Sequence, residues 1–571
     1  MTTTSERPSG SRIQIAARQS GDRALTRLLG LRAPTTEYTV NKGLRVPMRD
    51  GVDLVADHYA PADGADVAGT LLIRGPYGRG FPFSTLYARP YATRGYHVVV
   101  QSVRGTFGSG GVFVPMTHEI TDGADTVEWL RRQPWFTGRF ATIGSSYLGF
   151  TQWAVLMDPP PELAAAVIAV GPHDLSASIW GTGAFKLTDS LGWADLVANQ
   201  EQGSRLSALL WAAGARRRLA RATLGLPLGE SARSLLGTGA QWYESWLEHH
   251  DPDDAFWEPS RLAAALDRVS VPVLLISGWQ DLFLEQTLAQ YRHLRGRGVD
   301  VALTVGKWNH TQVGSTGAGQ VTRESLEWLD RNLAGARSGP ARDPVHVFVT
   351  GDGWVGLPDW PPSTSSQVLH LQPGGALTDA APPDAARPSR FTYDPAEPTP
   401  IVGGALLAPE GGYRDDSGLA RRPDVLSFTG DALASDLYVA GNPVVELSHT
   451  ADIPHVDVFV RVSEVDTRGR SHNVSDGYRR LTATPEPGPV RVELDAVAHR
   501  FRAGSRIRLL IAGGAHPRFS RNLGTEEAPI TGRRLVAATH TVYYGPSRLV
   551  LPTTPGRPSA DRAADPVGDP L

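Results

Sequence analysis

The sequence predicts a doubly wound α/β domain with a mostly parallel sheet, interrupted by a helical insertion and followed by an all-β domain. Three observations predict it. Strand, loop and helix alternate from Gly69 to Met157, the stretch from about Leu175 to Leu266 is helical in periodicity, and after Leu333 short alternating strands are separated by Gly, Asp and Pro turns. The 571 residues exceed what one hydrophobic core organises, at roughly 150 residues per domain. With 41% hydrophobic and 20% charged residues the composition is that of an ordinary globular protein, and a formal net charge of -3 leaves no electrostatic footprint for nucleic acid. No run approaches the roughly 18 to 20 apolar residues that span a bilayer, so no membrane partner is expected. Cysteine is absent, which excludes disulfides, thiolate metal sites and cysteine nucleophiles and leaves serine as the obvious covalent nucleophile.

Residues 1–37 are rich in Arg, Ser and Gly and lack the apolar segment of a secretory signal, so they are expected to be flexible and the protein cytoplasmic. A transit peptide is the alternative, weakened by Glu6 and Asp22. Order is expected from Tyr38, where YTVNKGLRVPMRDGVDLVADHYAP alternates around an RDG turn as a β-hairpin does. The first part of the α/β domain spans 38–174. GTLLIRGPYGRG and GYHVVVQSVRGTFGSGG read as strands entering glycine loops, and DGADTVEWLRRQPW as a helix with an acidic start. RFATIGSSYLGFTQWAVLM then runs a strand, Phe140 to Ile143, into a helix, with Gly144, Ser145, Ser146 and Tyr147 at the corner.

A nucleophile elbow requires a serine on a strained strand-to-helix turn, with a small residue two positions earlier and a helix N-terminus behind it. Gly144 and Ser146 have that spacing, but position 148 is Leu and the second glycine of G-x-S-x-G falls one residue late, at Gly149. Serine is also a preferred helix N-cap. The pattern alone therefore leaves Ser146 evenly poised between cap and nucleophile, while Ser145 sits where such a turn would not present its hydroxyl in the same way.

An acid and a histidine should follow, in that order, at the C-terminal ends of later strands. In VSVPVLLISGWQDLFLEQTLAQYRHL a strand, Val271 to Ser277, and a Gly-Trp-Gln turn lead to Asp281; in VDVALTVGKWNHTQVG a strand, Val299 to Val305, leads to His310 in a loop. Alone, the aspartate reads as a helix cap and the histidine as a solvated loop residue. Together and in order they complete a Ser146, Asp281, His310 triad, the mark of an α/β-hydrolase.

Residues 175–266 form the helical insertion, 267–340 the second part of the α/β domain, and 341–571 the β-domain, in which VVELSHT, VDVFVRVSEV, VRVELDAV, RIRLLIAG and THTVYYG are strands of a two-sheet sandwich. Such a sandwich is either structural or a carbohydrate-binding module. His249, His250, Asp251 and Asp254 could suggest a metal cluster, but no partner set with ligand spacing accompanies them, and no metal is assigned. RGPYGRG lacks the Lys-Ser/Thr ending of a phosphate loop.

In the order VPMRDGVDLVADHYAP, RGPYGRG, VRGTFGSGG, DGADTVEWLRRQPW, GSSYLGFTQW, SGWQDLF, GKWNH and HTVYYGPSRLVLP, the chain resembles, almost end to end, the cocaine-esterase-like hydrolases, which include X-prolyl dipeptidyl peptidases, α-amino acid ester hydrolases and β-lactam acylases. The family's pattern at the serine is G-x-S-Y-x-G, which accommodates Leu148 and Gly149 and favours Ser146 as nucleophile. The resemblance implies an oxyanion hole from the Tyr147 amide and the Tyr77 hydroxyl, and an insertion that caps the site. It further implies an acyl pocket lined by Trp180, Phe185, Trp193 and Phe283, and a jelly-roll C-terminal domain whose loops near Leu406 and Leu407 reach the site entrance. Relatives often carry an acid where this chain has Ser102, so a local ion pair is expected to be missing. No cofactor is implied. A small-molecule ester or amide is the expected partner, and the oligomeric state stays open, a homodimer included. No acidic cluster to anchor a substrate amine is evident near Leu148 or in SGWQDLFLEQ, so a carboxylic ester with an apolar or aromatic acyl group is favoured. X-prolyl dipeptidyl peptidase or amide acylase is the alternative, and a hydrolase fold that has lost catalysis and serves as a binding subunit is a third reading.

Overall fold

The computed structural model of the protein describes residues 12–201, 205–335, 343–384, 386–482 and 487–558. Ten strands form one sheet: β1 (Tyr38–Pro47), β2 (Asp53–Pro61), β3 (Gly69–Gly75), β4 (Tyr96–Ser102), β5 (Phe140–Ser145), β6 (Leu163–Ala169), β7 (Val273–Gln280), β8 (Val301–Asn309), β9 (Val345–Val349) and β10 (Gly353–Leu357). Their order across the sheet is β1-β2-β4-β3-β5-β6-β7-β8-β9-β10. The six strands β3 to β8 and their neighbour β9 pair in parallel, and only the hairpins at the two edges and the β2–β4 pair are antiparallel. The parallel strands are buried on both faces, as β3, β4, β6 and β7 show along their whole length, because helices cover both sides.

The sheet departs from the sequence-based boundary at residue 340. Val345, His346 and Val347 pair in parallel with Leu303, Thr304 and Val305 of β8, so β9 and β10 belong to the ten-stranded sheet and not to the sandwich. The reason is the open edge that β8 would otherwise leave, a row of unpaired backbone groups. The first strand of the sandwich itself begins at Ser365, after the Pro-rich stretch.

The expectation of a flexible segment over residues 1–37 is also corrected. Arg12–Leu28 is an α-helix docked on the α/β domain. Arg89 donates to Asp22 (2.7 Å), Arg18 donates to the Tyr38 carbonyl (2.8 Å) with its guanidinium 4.6 Å from the ring centroid, and Arg323 donates to the Leu29 carbonyl (3.1 Å). Residues 1–11 lie outside the described residues.

Between β6 and β7 the insertion is a set of helices, including Leu175–Trp180, Leu187–Asn199, Arg205–Leu224, Leu228–Leu236 and Trp242–Glu248. The C-terminal domain packs an eight-stranded sheet against a four-stranded one. Alternating residues such as Val445, Leu447, Val460, Val462, Leu509 and Ile511 fill the space between them. Its last strand, Ala538–Thr554, is 17 residues long and pairs with several others in turn, where the sequence suggested short strands. Among the described residues no helix is long and apolar enough to cross a membrane.

Among the buried imidazoles are five with large shifts, His58, His173, His449, His516 and His540. Burial lowers their pKa from the ordinary 6.5 to about 3 for His58, His516 and His540 and about 4 for His173 and His449. They are neutral when folded and take up protons on unfolding, so the stability they allow above pH 6.5 is lost as pH falls toward 4, at about 1.4 kcal/mol per unit for each group. Glu285, raised to about 7 by burial, and Glu119, Asp189 and Asp495, also raised by burial, act in the opposite direction, but His97, lowered by burial as well, adds to the five imidazoles, which outnumber the carboxyls. Thermal unfolding should therefore move to clearly lower temperature between about pH 7 and about pH 5; an unchanged midpoint would contradict the buried, neutral state of these rings.

Candidate active site

Ser146, Asp281 and His310 each follow directly on the last residue of a strand, β5, β7 and β8. These strands run two to four residues beyond the sequence-based ends, and the longer strands carry all three side chains to the same edge, where open α/β sheets bind their ligands.

At the first corner Ser146 has φ 60 and ψ -123, a conformation that costs a non-glycine residue on the order of 1–3 kcal/mol. Its amide donates to the Ala169 carbonyl at 2.9 Å, and its side chain makes no cap hydrogen bond. The glycine spacing has a steric cause. A Cβ on Gly144 would lie 2.4 Å from the Leu148 Cβ, and one on Gly149 2.6 Å from the Gly171 Cα. The helix Tyr147–Val155 thus passes the end of β6 with backbone almost touching backbone, which explains why the second glycine is needed one residue late.

His310 joins the other two. Its Nδ1 is 2.7 Å from Asp281 Oδ1 and its Nε2 is 2.9 Å from Ser146 Oγ. Since the carboxylate only accepts, Nδ1 carries the proton and Nε2 accepts from the serine. The Asp281 side chain is fully buried; its Oδ2 accepts from Ser277 Oγ and from the Phe283 amide, both at 3.1 Å. His310 begins a short helix capped by Asn309, whose side chain accepts from the Gln312 amide (3.0 Å) while Gln312 Oε1 accepts from the Asn309 amide (2.9 Å).

The loop after β3 brings Tyr77 to the serine. Its hydroxyl accepts the Trp193 indole N–H at 2.9 Å and lies close to Ser146, while burial pushes its pKa up to about 12, so it keeps its proton. Tyr147 is the first residue of its helix, where the amide has no acceptor within the helix. Its hydroxyl donates to Glu119 Oε1 (2.8 Å) and accepts from the Met116 amide (2.9 Å). Glu119 is paired with Arg74 at 3.0 Å, both buried, and burial raises the Glu119 pKa. The ion pair expected to be missing at Ser102 is supplied from β2: Arg79 pairs with Asp57 at 3.1 Å and donates to Ser102 Oγ.

Of the pocket residues, Phe283 stands edge-on to the His310 ring at 5.4 Å, and Trp193 stacks on Tyr147 at 6.1 Å. Trp180 and Phe185 are corrected. At 2% and 0% exposed they pack on each other at 5.0 Å inside the insertion, with the Trp180 indole donating to the Trp246 carbonyl (2.9 Å), and they offer a substrate no surface. Leu406 is buried, and the Leu407 amide donates to Asp189 Oδ1 at 2.8 Å. Sequence reading missed Glu119, Lys186 and Asp189. Asp189 is buried with its second oxygen unpartnered; burial raises its pKa, opposed by Lys186, Arg518 and His310. Among the described residues no group of three or more His, Asp and Glu could hold a metal ion; His249 bonds Asp254 at 2.9 Å and stacks on Phe256 at 4.2 Å.

Serine, histidine and aspartate joined in this way at the ends of parallel strands define a serine hydrolase with the α/β-hydrolase fold. Residues 50–312 match the family model of the X-Pro dipeptidyl-peptidase (S15 family), and residues 340–550 that of the X-Pro dipeptidyl-peptidase C-terminal non-catalytic domain. The chain is 29% identical to cocaine esterase of Rhodococcus sp. (strain MB1 Bresler) over 572 residues, covering 90% of this chain and 98% of the relative. In fold it is similar to an aminopeptidase from a marine sediment archaeon of the Thaumarchaeota, with TM-score 0.77 and 24% identity over 91% of this chain and 97% of that one. It is likewise similar to an α-amino acid ester hydrolase, with TM-score 0.76 and 24% identity over 92% and 98% of the two chains. The chain belongs to the cocaine-esterase-like, X-Pro dipeptidyl-peptidase family of serine hydrolases.

Glu119→Leu tests the network beneath Tyr147. It would leave the Arg74 guanidinium buried without its counter-charge, at an expected cost of about 3–5 kcal/mol in denaturant unfolding. A loss below about 1 kcal/mol would mean that the Arg74–Glu119 pair does not brace the elbow.

Proposed function

We propose that the protein hydrolyses carboxylic esters with an apolar or aromatic acyl group through an acyl-enzyme on Ser146. The observation that carries this reading is the continuous hydrogen-bonded connection from Asp281 through His310 to Ser146, with the Tyr77 hydroxyl beside the serine. Ser146 Oγ attacks the ester carbonyl as its proton passes to His310 Nε2, while Asp281 holds the Nδ1 proton and balances the imidazolium charge. The Tyr77 hydroxyl and the Tyr147 amide donate to the oxygen on which negative charge develops. The alcohol leaves with the proton from His310. Water, giving its proton to His310, then attacks the acyl carbon, and the carboxylic acid departs as Ser146 regains its hydrogen.

Trp193 and Phe283 supply an aromatic surface next to Tyr147 and His310, which suits an apolar acyl group. The alternative, an X-prolyl dipeptidyl peptidase or amide acylase, draws on Asp189, whose unpartnered oxygen could receive an amine. Against it, Lys186 and Arg518 already place positive charge close to that carboxylate, and a single compensated acid is a poor anchor for an ammonium group.

A screen of p-nitrophenyl esters, X-Pro-anilides and acyl amides separates these readings. Rapid ester turnover with slow anilide turnover is expected, and the reverse order would overturn the ester preference. Ser146→Ala should lower kcat on the order of a millionfold, and Tyr77→Phe about a hundred- to a thousandfold, both without loss of fold. Retained turnover in Ser146→Ala would remove the serine from the mechanism.

A further inference from the structure

The site contains a tryptophan-to-tyrosine link that neither the triad nor the acyl pocket explains. We propose that Trp193 is a positioning residue for the oxyanion hole, its indole N–H setting the direction in which the Tyr77 hydroxyl donates. The inference rests on the reading that Tyr77 donates to the oxyanion.

An indole N–H can only donate. At 2.9 Å from the Tyr77 oxygen it makes that oxygen an acceptor on the side of the insertion, so the single phenolic hydrogen must point the other way. Ser146, where the ester carbonyl is attacked, is close to that hydroxyl. The triad is equally constrained, because the Asp281 carboxylate only accepts. Two directed runs of hydrogen bonds therefore meet at the reaction centre: Trp193 N–H to the Tyr77 oxygen, and Ser146 O–H to His310 Nε2 with His310 Nδ1–H to Asp281. The donor-only indole gives the first run its direction, and the acceptor-only carboxylate gives the second its own. When Ser146 surrenders its proton, the Tyr77 hydrogen is already turned away from Trp193 and free to donate to the carbonyl oxygen on which charge develops, and accepting from Trp193 makes it the stronger donor.

The helix Leu187–Asn199 that carries Trp193 is built to hold this contact. From just beyond its end, Gln200 Nε2 donates to the Pro76 carbonyl at 2.8 Å, and Glu201 Oε2 accepts from the Phe107 amide at 2.7 Å. The Phe107 ring in turn packs over Gly78, where a Cβ would meet it at 2.9 Å. The residues on both sides of Tyr77 are thus fixed from the insertion, and Tyr77 itself stacks on Phe83 at 5.1 Å. Trp193 stays in place through stacking on Trp246 at 6.0 Å. The insertion therefore completes the catalytic apparatus as well as covering it.

The test must separate the N–H from the ring, since the ring also contacts Tyr147. Replacing Trp193 with benzothienylalanine keeps the bicyclic ring and removes the N–H; Trp193→Phe serves as a second variant. Each is assayed with a p-nitrophenyl ester, alone and combined with Tyr77→Phe. The expected result is a fall in kcat of about ten- to a hundredfold with KM changed less than about threefold, and no further fall in the Tyr77→Phe background. Wild-type kcat with the benzothienyl residue, a change confined to KM, or an undiminished loss on top of Tyr77→Phe would each overturn the inference. Unchanged kcat in Tyr77→Phe alone would instead overturn the donor reading of Tyr77, and this inference with it.

Discussion

The site depends on one constraint, the left-handed turn at Ser146. A serine held at φ 60 and ψ -123 exposes its hydroxyl at the strand end and hands the next amide to a helix N-terminus, but the chain adopts that turn only if its surroundings enforce it. Gly144 admits Leu148, Gly149 lets the helix meet Gly171, and Gly75 leaves room for the Leu148 side chain, which a Cβ there would meet at 2.4 Å. Among the described residues, the other non-glycine residues with left-handed φ, Phe107, Met116 and Val170, adjoin the same network. The Phe107 carbonyl accepts from Arg79, the Met116 amide donates to the Tyr147 hydroxyl, and Val170 follows the carbonyl that receives the Ser146 amide. Strain is concentrated where a hydroxyl must be displayed, and close packing holds it there.

All three parts of the chain reach this point. From the sandwich, the Val474 carbonyl accepts from Gln280 Nε2 at 3.0 Å and Asn473 donates to Gln280 Oε1 at 3.2 Å, which steadies the residue before Asp281. Glu285, a turn further on, accepts from the Ala496 amide at 2.7 Å. From the insertion, Lys186 donates to the Leu282 carbonyl and Trp193 donates to Tyr77. The sandwich thus braces the segment around Asp281, and the insertion braces Tyr77. Catalytic geometry needs such outer support, because hydrogen bonds to a reacting group lose their effect when their partners are loosely held.

Much of this is legible in the amino-acid sequence, and for identifiable reasons. Strand-end residues announce themselves as polar positions closing apolar runs, so the residues alone place Ser146, Asp281 and His310 in order. The ten-stranded sheet is legible as repeated strand and helix units, but not its last hairpin: the VHVFV of β9 alternates like a sandwich strand, and only its pairing with β8 assigns it. The helix at Arg12–Leu28 is hidden because its docking relies on partners far along the chain, Arg89 for Asp22 and Arg323 for Leu29. Glu119 sits within an ordinary acidic helix start, and no periodicity marks it as the buried partner of both Arg74 and Tyr147. Trp193 reads as a pocket wall because sequence shows a ring's apolar character and not the direction of its N–H.

The central claim is that Ser146, and not the adjacent Ser145, carries the acyl group. Ser145 is already engaged, hydrogen-bonded at 2.5 Å to the Tyr87 hydroxyl, whereas Ser146 is the serine that meets His310. The direct measurement is rapid acid quench during turnover of a slowly deacylated p-nitrophenyl ester, followed by mass spectrometric mapping of the peptide that spans GSSYLG. The account predicts one acyl group on Ser146, formed with a stoichiometric burst of p-nitrophenol. An acyl group on Ser145, or turnover with neither burst nor adduct, would contradict it.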